Sequence, residues 1–215
     1  MIGLGGGRLE RIVAVGAHCD DLAIGAGGTL LTLCRAHPGL RVDALVLTGG
    51  GTEREQEEEA ALAAFCPGAD LRLTVHKLPD GRLPVHWDEA KRAVEELRAQ
   101  GDPDLVLAPR TDDAHQDHRG LAQLIPTAFR DHLVLGYEIV KWDGDLGRMA
   151  AYQPLSPETA EDKVRLLQEH YPSQRHRPWY DREAFLGLAR IRGIECHARY
   201  AEAFAVTKLT LNLGG

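Results

Sequence analysis

Arg11 to Leu33, RIVAVGAHCDDLAIGAGGTLLTL, decides the fold. Ile12, Val13, Ala14 and Val15 form an uninterrupted, β-branched apolar run, as a strand covered on both faces of a parallel sheet requires. The run stops at His18, Asp20 and Asp21, after which Ile24, Leu30, Leu31 and Cys34 recur roughly at helical spacing. Three titratable side chains at the exit of a buried strand stand where open α/β sheets place their ligands.

Working outward, the same alternation repeats. Arg41 to Thr48 (RVDALVLT) reads as a second strand, followed by the loop Gly49-Gly50-Gly51 and by Thr52 as a helix N-cap. Glu53 to Phe65 reads as a helix whose five glutamates are mostly a solvated face, two of them in the first turn where the helix dipole favours them. Leu71, Leu73 and Val75 alternate with polar residues, which predicts a half-exposed strand near a sheet edge. After the turn-rich LPDGRLP, a helix carried by Ala90, Ala93, Val94 and Leu97 ends at Gly101, and Asp104 to Ala108 is again a short buried strand. Strand and helix alternating in this way predict a Rossmann-like, doubly wound, mainly parallel sheet with helices on both faces and a core order of 3-2-1-4-5.

The fourth strand runs into PRTDDAHQDHRG, and a helical pattern resumes at about His118. In the order 3-2-1-4-5 the first and fourth strands are neighbours where the winding reverses, so the two titratable clusters face one crevice and His18, Asp21 and His118 can converge. Two imidazoles and a carboxylate, with positions left open for water, suit a catalytic zinc ion or a related divalent metal.

Composition narrows the field. A chain of 215 residues can hold one large α/β domain, and no linker stretch argues for two, so a single domain over 1–215 is expected. A net charge of −7 gives no basic footprint for nucleic acid. Cys19, Cys34, Cys66 and Cys196 are scattered without a CxxC pair, which disfavours a cysteine-only zinc site and a disulfide framework and points to a reducing cytoplasm. No stretch has the length and apolarity of a membrane span or of a secretory leader. Gly3, Gly5, Gly6 and Gly7 precede the first strand and are expected to form a flexible arm, because a phosphate-cradling turn would follow that strand. Ser156 and Pro157 read as the N-cap and first residue of a helix through Lys163 to Glu169, and Asp181 opens another that Gly193 closes.

AHCDD followed by GAGGTL resembles the AHPDDE motif with trailing glycines of the LmbE/PIG-L family of zinc-dependent N-deacetylases, and DAHQDHR resembles that family's HxDH motif. TGGGTEREQE, LPDG, YPSQ and AEAF resemble its Gly-loop, substrate loop and C-terminal segments, so the resemblance covers most of the chain. It implies that His18, Asp21 and His118 hold the metal, Zn2+ or another divalent ion such as Fe2+, and that Asp20 is the general base. It also implies that His115 assists the oxyanion or the leaving amine, that Asp117 orients His115, and that Arg54 and Asp80 contact sugar hydroxyls. Trp142, in a segment resembling one near the pocket of sugar-directed members, is the residue there best able to cover a ring. Cys19 stands where the family usually has proline, and Leu22 where it usually has glutamate; neither replacement removes a ligand or the base.

The reaction implied is removal of an acetyl or similar small acyl group from the nitrogen of an aminosugar-bearing small molecule or glycoside, by a protein that is free to form a homo-oligomer. The alternative is a noncatalytic sugar-binding module with a structural metal; an uncoordinated Asp20 beside the ligands favours the enzyme. A receiver-type signalling domain would need an aspartate at the end of the third strand, where this chain reads LTVHKLPDG. An iron oxygenase with the same ligand types would generally be built on an all-β barrel.

Overall fold

The computed structural model describes residues 7–210, so the expected arm at Gly3, Gly5 and Gly6 lies outside the described residues. The elements follow in chain order: β1 (Arg11–Gly16), α1 (Asp21–Ala36), β2 (Arg41–Thr48), α2 (Glu53–Phe65), β3 (Asp70–Leu78), α3 (Trp87–Ala99), β4 (Leu105–Pro109) and α4 (Gln116–Ala128). Then come β5 (Val134–Tyr137), β6 (Ala151–Leu155), α5 (Pro157–His170), α6 (Arg182–Glu195) and β7 (Tyr200–Ala205).

All seven strands join one sheet in the order β3-β2-β1-β4-β5-β7-β6. The first five are parallel, with Ile12 in register with both Val42 and Leu105, while β7 pairs antiparallel with β5 and β6. The expected 3-2-1-4-5 core is therefore present, with an antiparallel extension beyond β5. Every residue of β1 is buried because successive side chains enter opposite layers. Ile12 and Ala14 pack with α1, α2, α5 and α6, whereas Val13 and Val15 pack with α3 and α4. This is why the strand reads as continuous apolar sequence and not as an alternation.

Two strands have no clear signature in the sequence. β6 is five residues long and carries Pro154, which an edge strand tolerates because an outward-facing amide need not join the ladder. β7 carries Glu202 in its buried middle, and that residue has a specific partner set. Its carboxylate accepts the amides of Gly28 (2.8 Å) and Thr29 (2.7 Å) in mid-α1, and Lys163 Nζ binds both Glu202 Oε1 and the Ile24 carbonyl at 2.6 Å. The ion pair thus occupies both ends of the Gly28-to-Ile24 bond that an uninterrupted helical ladder would make. It ties α5 and β7 to α1, and accounts structurally for the AEAF segment.

The helix caps follow the sequence reading. Thr52, Ser156 and Asp181 each accept a first-turn amide with their side chains. One end differs: α6 continues past Gly193 to Glu195. Gly193 is a contact residue, because a Cβ there would come within 2.7 Å of the Arg199 carbonyl oxygen. Among the described residues, no helix is long and apolar enough to cross a membrane.

Candidate active site

The carboxyl ends of β1 and β4 lie side by side at the reversal of winding, and the two polar clusters meet there at a cleft of about 540 Å³. His18 Nδ1 lies 3.1 Å from His118 Nε2, and Asp21 contributes Oδ1 at 3.3 Å from His118 Nε2 and Oδ2 at 3.6 Å from His18 Nδ1. A tetrahedral ion with ligands at about 2.0–2.1 Å has ligand-to-ligand edges of about 3.3 Å. The three side chains therefore suit a divalent ion by donor type, and the two imidazole nitrogens and the Asp21 carboxylate, Oδ1 toward His118 and Oδ2 toward His18, lie near that spacing. Asp21 Oδ2 also accepts the amides of Ala17 and His18, at 2.9 Å each, which leaves Oδ1 as the oxygen facing His118.

Carboxylates stand behind both imidazoles. Asp113 Oδ2 lies 3.1 Å from His118 Nδ1, placed as an ion pair and not as an aligned hydrogen bond. His18 Nε2 faces Asp80 Oδ1 at 3.0 Å and Asp117 Oδ2 at 3.2 Å. Burial alone would lower the pKa of His118, yet the charges of Asp21 and Asp113 raise it to about 9. The crevice therefore attracts positive charge, as a cation site must.

Asp117, which the resemblance implied would orient His115, meets that residue through its backbone amide, while its carboxylate turns to His18. It is wholly buried in the first turn of α4, bonds His18, and accepts the amides of Gly81 (2.7 Å) and Leu83 (3.1 Å). It thus fixes the His18 imidazole and the LPDG loop together, because its side chain points beneath the helix toward that loop. His115 caps α4 instead, its Nδ1 accepting the Asp117 amide at 3.3 Å. A capping Nδ1 carries no proton, so the neutral ring presents Nε2–H. Burial, followed by the charges of His18 and His118, lowers the pKa of His115 and favours that neutral form. Ring nitrogens of His115, His18 and His118 lie within 4.8 Å of one another, a cluster of metal-binding donors in which His115 is the third imidazole.

Asp20 sits between β1 and α1 with φ 114°, outside the usual range for a non-glycine residue. Its side chain does not cap α1. Instead Oδ2 accepts from Arg54 Nη2 at 2.8 Å, and Oδ1 makes no hydrogen bond among the described residues. Burial raises the carboxyl to about 6 despite the Arg54 guanidinium, a value suited to exchanging a proton near neutrality. Arg54 lines the cleft, but its two terminal nitrogens are engaged by Asp20, Glu57, Ser173 and the Cys19 carbonyl. It therefore immobilises the Asp20 carboxylate at the cleft that it lines, the side chain for which the resemblance implied contact with sugar. Asp80 and Trp142 do line the cleft, with Trp142 67% exposed at its rim. Cys19 is buried against the Thr48 carbonyl, and its thiol is held protonated by burial, away from any ligand role. Gly49, at φ 93°, leaves the space this thiol occupies, since a Cβ there would lie 2.7 Å from Cys19 Sγ.

Two functional candidates, Asp113 and Glu58, escape the sequence reading, and a third, Glu57, stands there only as the glutamate three residues after Arg54 in the Gly-loop resemblance. Asp113 lies within the quoted TDDAHQDHR cluster, where nothing in the spacing separates it from Asp112. Glu57 holds Ser173 through both its amide (2.8 Å) and its hydroxyl (2.7 Å), which locks the YPSQ segment onto the Arg54 clamp. Glu58, one of the five glutamates of α2, is wholly buried behind the Asp20 loop. Its signal is its place on the apolar face with Ala61 and Leu62.

Residues 13–129, more than half of the chain, match the family model "PIG-L: GlcNAc-PI de-N-acetylase". The chain is 30% identical over 144 residues to the uncharacterized deacetylase YaiS of Escherichia coli (strain K12), an overlap covering 61% of this chain and 75% of that protein. Among solved structures, the conserved protein TT1542 from Thermus thermophilus shares the fold with a TM-score of 0.73 at 24% identity, covering 95% of this chain and 97% of that one. The N,N'-diacetylchitobiose deacetylase from Pyrococcus horikoshii, solved with its inhibitor MPG, shares it with a TM-score of 0.70 at 19% identity, covering 93% and 84%. On the family match and the curated relative together, the chain belongs to the PIG-L (LmbE-like) family of deacetylases.

Proposed function

We propose that the protein is a divalent-metal-dependent N-deacetylase acting on the N-acetyl, or a similar small acyl, amide of an aminosugar-containing small molecule or glycoside. The observation that carries this reading is the triangle of His18 Nδ1, Asp21 and His118 Nε2, with separations of 3.1–3.6 Å, beside the uncoordinated carboxylate of Asp20. A structural metal would have no use for such a neighbour. The family affiliation and the N,N'-diacetylchitobiose deacetylase neighbour support an N-acetylated sugar as the substrate class.

A zinc or other divalent ion held by His18, Asp21 and His118 would polarise the acyl carbonyl and make a water easier to deprotonate. The protein's own residues divide the remaining work. Asp20, through Oδ1, takes the proton of the attacking water as its oxygen bonds to the carbonyl carbon. Asp20 then returns that proton to nitrogen as the C–N bond breaks, releasing the carboxylic acid and the amine. His115 donates Nε2–H to the carbonyl oxygen as its charge grows, where one well-placed donor is worth roughly 100- to 1000-fold. Trp142 covers a sugar face, and Asp80 accepts from a hydroxyl at the cleft mouth.

Acetate release from a panel of N-acetylated aminosugars and glycosides, before chelation, after it, and after zinc is returned, tests the reading. Release that is lost on chelation and restored by the ion is expected. Release that persists with the metal shown to be gone would exclude the metal from the reaction. Sugar binding without release from any member of the panel would favour the noncatalytic module.

A further inference from the structure

We infer that Glu58 positions the general base, holding the Asp20 backbone in its unusual conformation so that the carboxylate turns outward into the cleft. The inference rests on the reading of Asp20 given above. Glu58 Oε2 accepts the Asp20 amide at 2.8 Å and the Tyr171 hydroxyl at 2.7 Å. With φ at 114° and no capping bond from its own side chain, Asp20 depends on its surroundings for its conformation. Its amide points inward to Glu58, and its carboxylate points away to Arg54.

Arg54 and Glu58 are four residues apart on α2 and so share one face of the helix, one turn above the other. One secures the side chain of Asp20 and the other its backbone. Tyr171, at the end of α5, closes the arrangement by donating to Glu58 while its ring lies 5.5 Å from the Arg54 guanidinium. Leu22, where this chain departs from the family pattern, is wholly buried in the apolar core and offers the loop no acceptor. Among the described residues, the acceptor for the Asp20 amide comes from α2 alone.

An acid suits this place only if it adds little charge beside the base. Burial raises the Glu58 carboxyl to about 8, an effect the Asp20 charge reinforces and the Tyr171 and Asp20-amide bonds and the Arg54 charge oppose. Glu58 Oε1 is buried without a hydrogen-bond partner, an environment that favours the neutral acid. Glutamine should therefore substitute well, and leucine should not.

The test compares Glu58→Gln, Glu58→Leu and Asp20→Asn in the full chain. Metal content and steady-state kinetics are measured on the zinc-loaded protein, and amide hydrogen exchange on the metal-free protein. Glu58→Gln is expected to keep kcat within about threefold. Glu58→Leu is expected to bind metal stoichiometrically with KM little changed, to lose roughly 10- to 100-fold in kcat, and to exchange the Asp20 amide faster while the β1 amides stay protected. Should Glu58→Leu not fold, Tyr171→Phe, which removes one hold on the Glu58 carboxyl, is expected to show the same two changes to a lesser degree. Unchanged kcat and Asp20 exchange in Glu58→Leu, or in Tyr171→Phe where it replaces that variant, would overturn the inference. So would a loss in Glu58→Gln equal to that in Glu58→Leu. Wild-type turnover in Asp20→Asn would instead overturn the base assignment, and the exchange measurement tells the two failures apart.

Discussion

His18 and His118, one hundred residues apart in the chain, bring Nδ1 and Nε2 to 3.1 Å across the junction of β1 and β4. Two imidazole nitrogens, with the Asp21 carboxylate 3.3 Å and 3.6 Å away, make a donor set for a cation. His18→Ala, Asp21→Ala and His118→Ala are each expected to be purified without stoichiometric metal. Elemental analysis decides the matter, and a full equivalent of metal in His118→Ala would remove it from the ligand set.

His115 combines two roles that one substitution can separate. Its Nδ1 caps α4, and loss of a cap typically costs about 0.5–2 kcal/mol of stability. In the proposed reaction its Nε2–H donates to the carbonyl oxygen, where loss of a donor costs roughly 100- to 1000-fold in kcat. His115→Ala is therefore expected to keep its metal, melt somewhat lower, and lose kcat far more than KM rises. A variant with the lowered melting point and wild-type kcat would leave His115 only as a cap.

Lys163 and Glu202 form a buried ion pair inserted into α1. Removing one member of such a pair commonly costs about 3–5 kcal/mol, because the other is left buried and uncompensated. Lys163→Met should show that loss in urea denaturation, and a Lys163→Met, Glu202→Leu double variant should lose less than the two single losses added together. Strict additivity would mean that the two side chains are not coupled.

Glu58 gives stability an unusual pH dependence. Its folded pKa of about 8 lies above its ordinary 4.5, so between those values the folded chain holds a proton that the unfolded chain releases. Stability from this group is fully present below about pH 4.5 and is lost as pH rises toward 8. Asp20, Arg54 and Tyr171 face the carboxyl and are all retained in Glu58→Gln. That variant, which cannot ionise, should gain in melting temperature relative to the wild type as pH goes from 5 to 8. A difference that stays constant across this range would show that Glu58 is ionised in the folded protein.

The parallel core could be read from the sequence because β1, β2 and β4 are buried on both faces, and unbroken runs such as Ile12–Val15 have no other ready explanation in a chain of alternating elements. The convergence of His18, Asp21 and His118 was legible for a related reason. A strand order fixed by alternation places the ends of β1 and β4 together, and His18, Asp21 and His118 stand at those ends. The supports of the site were not legible, because each depends on the direction of a side chain. Asp117 turns beneath α4 to His18, Asp113 backs His118, and Glu58 faces inward from a helix whose other glutamates mostly face water. β6 and β7 were missed because Pro154 and Glu202 break the strand pattern at positions where an edge and an ion pair accommodate them.

The division between ligands and base is tested most directly in Asp20→Asn, measured for metal content and acetate release in the same preparation. Asparagine preserves the volume and the bond from Arg54 but cannot carry a proton between water and nitrogen. One equivalent of bound metal with turnover reduced by roughly 100- to 10,000-fold is the result predicted. One equivalent of metal with turnover undiminished would contradict the account.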